Sequence, residues 1–220
     1  MCVEREEEME SAWKDGNVPI IVDPKGVWIE RLKPKAVVDA ILAKKNLGTR
    51  KAMAPLTIGL GPGFEAGCDV SFVIETMRGE SLGKVYAKGS AIPNTGIPGI
   101  IAGYGKERVI HAPVSGVFEP AKRIGDQVEK GEIMGWIVDL KQGKIEISAT
   151  ISGFLRGMIR EGYVVKQGLK MMDIEPRTED REICFRISDK AFCIADSVYK
   201  VIKGYEDCQT GRLCVRKDRI

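Results

Sequence analysis

The sequence predicts an α+β chain, mostly β, and three observations carry that prediction. Residues 112–137 reappear at 149–174 without a gap, offset by 37 positions. Short β-branched runs bounded by Gly and Pro precede this repeat, and one amphipathic stripe at helical spacing follows it. Four stretches result: a partial α/β unit (1–49), a β-rich segment with glycine loops (50–109), a small barrel (110–176), and a strand with an amphipathic helix and a polar tail (177–220).

Composition narrows the class. With 220 residues, 44% hydrophobic and 30% charged, the chain can bury a core, which excludes disordered and fibrous classes. The net charge of +3, from 34 basic and 31 acidic residues, is too balanced for a phosphate-backbone partner, so no nucleic acid is expected. No apolar run approaches the roughly 18 residues of a membrane span. The acidic start MCVEREEEMES lacks the form of a signal peptide, and a cytoplasmic protein is the expectation. None of the six cysteines (2, 68, 184, 193, 208, 214) forms a C-x-x-C pair. A single histidine, His111, removes a histidine-rich metal site; in a strand-like stretch it reads as an ordinary half-buried side chain. No metal is therefore expected.

The N-terminal elements follow in order. Residues 1–15 read as a short charged helix. VPIIVD (18–23), closed by Pro24 and Gly26, reads as a buried strand. Trp28, Ile29 and Leu32 fall at helical spacing, and AVVDAILA (36–43) reads as another strand. Unalternated apolar strands suit a sheet covered on both faces. Two parallel strands cannot stand alone, so this piece leans on the rest of the chain or on a second copy in a homo-oligomer.

Glycine and proline dominate the middle, in loops GLGPGFEAG (59–67) and GSAIPNTGIPG (89–99). The first follows an apolar strand at 56–60. Between the loops, VSFVIET (70–76) and KVYA (84–87) favour a hairpin, although Val70, Val73, Ile74 and Met77 also fit helical spacing.

Within the repeat, nine of 26 aligned pairs are identical, among them Gly116 with Gly153, Val128 with Val165, Met134 with Met171 and Ile137 with Ile174. A repeat this regular means two copies of one strand-turn-strand unit about a pseudo-twofold axis. Ile145, Ile147, Ala149 and Ile151 alternate with polar residues, as in a half-buried strand. Two such halves close as a small flattened barrel that resembles the biotinyl/lipoyl-like (barrel-sandwich hybrid) fold. In carriers of that fold a lysine at the central hairpin holds the prosthetic group. The matching position here is Gln142, with Lys141 and Lys144 out of register, so neither covalent biotin nor lipoate is expected. Beyond a charged linker, ICFRI (183–187) reads as a strand. Ser188-Asp189 then caps a helix whose stripe is Ala191, Ile194, Ala195, Val198, Val201 and Ile202, ending near Gly204, with a loose tail behind it.

Candidate ligand-binding residues cluster at the loops. Gly61, Gly63 and Gly67 form G-x-G-x-x-x-G, whose amides can make a concave anion site, although a structural turn around Pro62 explains the same residues. Asn94, Thr95 and Gly96 offer polar groups in the second loop, and Arg78 can meet an oxyanion bidentately. Lys44 and Lys45 lie beyond a strand's carboxyl end, where α/β sheets bind ligands. Asp39, inside that strand, needs a partner or faces a site. Together they make a site for a small anion.

The ordered run VDAILAKKNLGT (38–49), APLTIGLGPGFEAG (54–67), VIETMRG (73–79), LGKVYAKGSAIPNTGIPG (82–99) and GLKMMDIEPR (168–177) resembles the YqeB family over roughly residues 17–202. Members are accessory proteins of the selenium-dependent molybdenum hydroxylase system. The resemblance implies a role in maturing hydroxylases that act on purines or related heterocycles, with the apo-hydroxylase or other maturation factors as partners. Family members usually begin with a glycine-rich, nucleotide-binding-like α/β segment. Residues 1–16 do not match it, so the N-terminal unit reads as a Rossmann-like remnant, and nucleotide binding is not carried over. Where the family has a C-terminal glycine cluster, this chain has Ala195-Asp196-Ser197.

Three functions remain open from sequence. The first is a maturation factor holding a molybdopterin- or selenium-related anion on the 59–99 loops. The second is an enzyme of cofactor modification, with Cys68 as nucleophile against the alternative of a buried structural thiol. The third is a scaffold presenting Lys122, Arg123 and Lys130 on the barrel.

Overall fold

The computed structural model describes residues 1–139 and 143–210. Lys141 and Gln142 of the central turn, and the tail from residue 211, lie outside the described residues. The chain is α+β and mostly β, in two compact units: residues 1–76, 83–92 and 197–210 form one, and the described residues of 77–82 and 93–196 the other.

The first unit begins with helix α1 (Glu6–Lys14), whose Met9 and Ala12 are buried, as is Val3 ahead of it. Residues 18–23 do not form the expected strand. Val18 and Val22 are 77% and 83% exposed, and Ile20 makes only an isolated bridge to Cys2. Pro19 lacks a ladder donor and Gly26 turns the chain in a left-handed conformation, which keeps this run out of a sheet. Helix α2 (Val27–Leu32) follows. The sheet runs β1 (Ala36–Asp39), β2 (Leu56–Leu60), β3 (Phe72–Ile74) and β4 (Val85–Tyr86), in that order. The first three strands are parallel, and β4 closes antiparallel on β3 as the hairpin predicted for this segment. The sheet joins residues on both sides of the expected 49/50 boundary, because β1 pairs with β2. Strand β1 stops at Asp39 rather than running to residue 43, since Leu42 and Lys44 take left-handed backbone angles no strand allows. Phe64, Ala66, Val70, Val73 and Ala91 make the small core beside β3.

The second unit carries the repeat. Its strands are β5 (Val109–His111), β6 (Gly116–Pro120), β7 (Gln127–Val128), β8 (Ile133–Asp139), β9 (Gly143–Ser148), β10 (Gly153–Met158), β11 (Val164–Val165) and β12 (Lys170–Glu175). They form two open four-stranded sheets, β5-β12-β10-β7 and β9-β8-β6-β11. A shift of 37 residues carries β6 onto β10, β7 onto β11, β8 onto β12 and β5 onto the end of β9, so one sheet order maps onto the other. The shared core obeys the same shift: Phe118, Val128, Met134 and Ile137 are buried with their counterparts Leu155, Val165, Met171 and Ile174. Burial of each such side chain contributes about 1.5–3 kcal/mol. His111 is exposed at the end of β5 rather than half-buried, because the strand ends as it leaves this core.

Residues 183–187 are not a strand. Arg181–Cys184 is a single 3-10 turn, because the Asp180 carboxylate accepts from the Glu182 amide at 2.9 Å and draws the backbone into a cap. Helix α3 (Asp189–Gln209) is capped by Ser188, whose hydroxyl accepts from the Ala191 amide. It runs through Gly204, since one helical glycine costs only about 1 kcal/mol. Of the expected stripe, Val201 is buried, Ile194, Val198 and Ile202 are half-buried, and Ala191 and Ala195 are exposed.

Candidate functional site

Three parallel strands present their carboxyl ends at one sheet edge, and five candidate residues are brought together there: Asp39, Gly61, Gly63, Lys44 and Lys45. Asp39 ends β1; Gly61 and Gly63 follow β2; Glu75 and Thr76 follow β3. Asp39 is buried but partnered: the Thr49 hydroxyl donates to Oδ2 at 2.6 Å and the Ile41 amide to Oδ1 at 3.1 Å. These two bonds pin both ends of the loop that carries Lys44 and Lys45. Asn46 braces it further, accepting from the amides of Gly48 and Thr49. Lys44 and Lys45 are exposed, and neither forms an ion pair among the described residues.

The two glycines at this edge are packing devices. The Gly61 amide donates to the Ile74 carbonyl at 2.8 Å, and a Cβ there would lie 2.5 Å from Thr76 Oγ1. A Cβ on Gly63, whose φ is +109°, would stand 2.5–2.8 Å from the Lys45 backbone. Gly63 thus lets the Lys45 backbone press against the β2 turn and holds that lysine at the edge. Gly67 closes a separate turn by donating to the Val70 carbonyl, and its own carbonyl accepts from Lys51 Nζ at 3.2 Å. Cys68 is exposed, not a buried structural thiol, because that turn places it outside the small core.

Sequence reading missed Glu75. Its carboxylate is fully buried, accepting from the Thr76 and Ile92 amides at 2.8 Å each. Burial raises the pKa of the Tyr86 phenol, and the Glu75 charge and hydrogen bond add to that rise. The signal was available, since Glu75 directly follows an apolar strand, much as Asp39 ends one.

In the second unit Arg78 does meet an oxyanion bidentately, but the oxyanion is the chain's own Asp189, at 2.6 and 3.0 Å. That hydrogen bonding drives the Asp189 carboxyl well below the usual carboxylate range. Gly99 lies beside Arg78, whose Cδ is 3.2 Å from where a Cβ would stand. Asn94, Thr95 and Gly96 are exposed, and the Thr95 hydroxyl accepts from the Ile97 amide. Nearby, buried Glu175 accepts from Arg177 at 2.7 and 2.9 Å and from Arg156 at 2.8 Å. Burial works to raise its pKa, and the two guanidinium groups overcome this and leave it lowered. Glu175 too went unread from sequence, since its partners come from β10 and from beyond β12.

Among the described residues, no group of three or more His, Cys, Asp or Glu could hold a metal ion. No helix among them is long and apolar enough to cross a membrane. Lys122 is paired with Glu132, and the exposed Lys144 ammonium pairs with Glu119 at 2.8 Å and lies over Trp136.

No protein-family model matches the chain. Solved structures with local likeness include a succinylglutamate desuccinylase/aspartoacylase from Rhodobacter sphaeroides, 27% identical over 31% of this chain and 22% of that one, with a TM-score of 0.29. The ectoine utilization protein EutE (DoeB) from Ruegeria pomeroyi is 18% identical over 42% of this chain and 28% of its own, with a TM-score of 0.30. Scores this low reflect short shared segments and decide nothing about fold or chemistry. The uncharacterized protein YqeB of Escherichia coli (strain K12) is 46% identical over 187 residues, 85% of this chain. The chain spans about a third, 34%, of the length of that relative. Over the aligned region the chain is thus similar to YqeB, the family that the ordered motif run resembles.

Proposed function

We propose that the chain is an accessory factor for maturation of selenium-dependent molybdenum hydroxylases, handling an anionic molybdenum-cofactor- or selenium-related ligand. The observation that carries this reading is the motif run resembling the YqeB family, together with 46% identity to YqeB across most of the chain. The site geometry is compatible with it: two exposed lysines stand on a braced loop at the carboxyl edge of a parallel sheet, where such folds bind ligands. Its partners are the apo-hydroxylase or companion maturation factors, and its compartment is the cytoplasm. The two pseudo-symmetric sheets are read as a biotinyl/lipoyl-like barrel serving as a platform, with Gln142 where a carrier has its lysine.

A host strain lacking the chain tests this. Molybdenum-hydroxylase activity in extracts falls on deletion and returns with the wild-type chain. A chain carrying both Lys44→Gln and Lys45→Gln, two exposed substitutions, restores it poorly. Protein purified from the host carries molybdenum or selenium by elemental analysis. Unchanged hydroxylase activity in the deletion strain overturns the reading.

A second reading, an enzyme of cofactor modification, is favoured by one observation. Cys68 is exposed beside a carbonyl that holds the Lys51 ammonium. Full activity of Cys68→Ala in the same strain removes it.

A further inference from the structure

At the amino ends of β1 and β2, opposite the edge just described, the first unit has a cavity of about 680 Å³. Its floor is apolar, with Ile29 and Met53 half-buried. Its rim carries Lys25, Lys33 and Arg50 against one carboxylate, Glu30. Among the described residues none of these four charges forms an ion pair, so the excess positive charge is uncompensated. Lys33 also holds a left-handed backbone conformation (φ +45°), strained for any residue but glycine, at the end of α2 where the chain turns along the rim.

We propose that this cavity is a binding site for a small organic phosphate monoester with an apolar body. A volume of this size falls within the roughly 300–1,000 Å³ of small-molecule pockets and is too small to seat a folded partner. Three cations against one carboxylate leave an excess of positive charge that matches a dianionic headgroup, and Ile29 and Met53 give an apolar body a surface that bare phosphate does not use. The site is independent of the function proposed above, since it lies at the other edge of the sheet and shares no residue with it.

The test titrates 1-naphthyl phosphate into the full chain, followed by amide chemical shifts and calorimetry. Inorganic phosphate and 1-naphthol serve as comparison probes. The expected result is saturable binding with shifts centred on residues 26–33 and 50–54, tighter than either comparison probe. Raising salt weakens it. Arg50→Gln and Lys33→Gln, both exposed, each weaken it roughly three- to tenfold with the fold intact. Absence of saturable binding at millimolar probe, shifts centred elsewhere, or unchanged affinity in both variants overturns the proposal. So does equal affinity for inorganic phosphate, which would remove the role of the apolar floor.

Discussion

Replacing Gly63 by alanine sets one methyl group against the backbone of a neighbouring loop, and the cost can be worked from the geometry. The new Cβ would lie 2.5, 2.7 and 2.8 Å from Cα, N and C of Lys45. None of these atoms belongs to a flexible side chain, so the loop must move. Asp39 and Asn46 pin that loop on both sides, which limits how far it can go. Holding alanine at φ +109° adds strain of about 1–2 kcal/mol. Overpacking adds about 1–3 kcal/mol, giving a total of about 2–5 kcal/mol. With a urea m-value of about 2 kcal/mol/M, the midpoint should fall by about 1–2.5 M. Gly48→Ala is the control: its φ is +127°, but nothing lies within 4 Å of its Cβ position, so only the backbone strain applies. Urea unfolding of the two variants, followed by circular dichroism, separates strain from contact. Equal losses in both would refute the argument that Gly63 exists to admit the Lys45 backbone.

Two further outcomes are expected. Glu175→Gln leaves Arg156 and Arg177 without their carboxylate; full burial would make this cost about 3–5 kcal/mol, and the 42% exposure of Arg177 brings it to about 2–3 kcal/mol. Because the folded-state pKa of Glu175 is lowered, its contribution is complete above the ordinary value of 4.5 and is lost as pH falls through the lowered value. The variant should therefore show a flatter acid limb in a stability–pH profile, and an unchanged limb would sink the assignment. Gly116→Ala and Gly153→Ala drive a methyl into the carbonyls of Val138 and Glu175, at positions 37 residues apart, and each should cost at least about 2 kcal/mol. A thermal-unfolding comparison in which one is tolerated and the other is not would contradict structural equivalence of the two halves.

Much of the fold was legible where a local rule and a tertiary need coincide. The hydrophobic period of the repeat is also its burial pattern, so pairing Met134 with Met171 in sequence placed both in one core. Strand β2 was legible for the same reason, since every residue from Leu56 to Leu60 is buried. The run 18–23 and the segment 183–187 misled because β-branched content is only a preference. At 18–23 the missing donor of Pro19 outweighed it, and at 183–187 the Asp180 cap did. The candidate site divided along similar lines. Asp39 and the lysine pair could be found from strand ends, and Glu75 stands where the same signal applies, whereas Glu175 takes one of its donors, Arg156, from a neighbouring strand.

The two-fold character of residues 110–176 and the residues facing its core follow from the one-dimensional pattern, because side-chain period and strand geometry are locked together. Only the tertiary structure decided which charges were already taken. Arg78 has the chemistry to hold a ligand's oxyanion, yet a carboxylate 111 residues away occupies its fork, and Lys44 and Lys45 have no such partner among the described residues. Ion pairing depends on distance in space, which sequence separation does not encode.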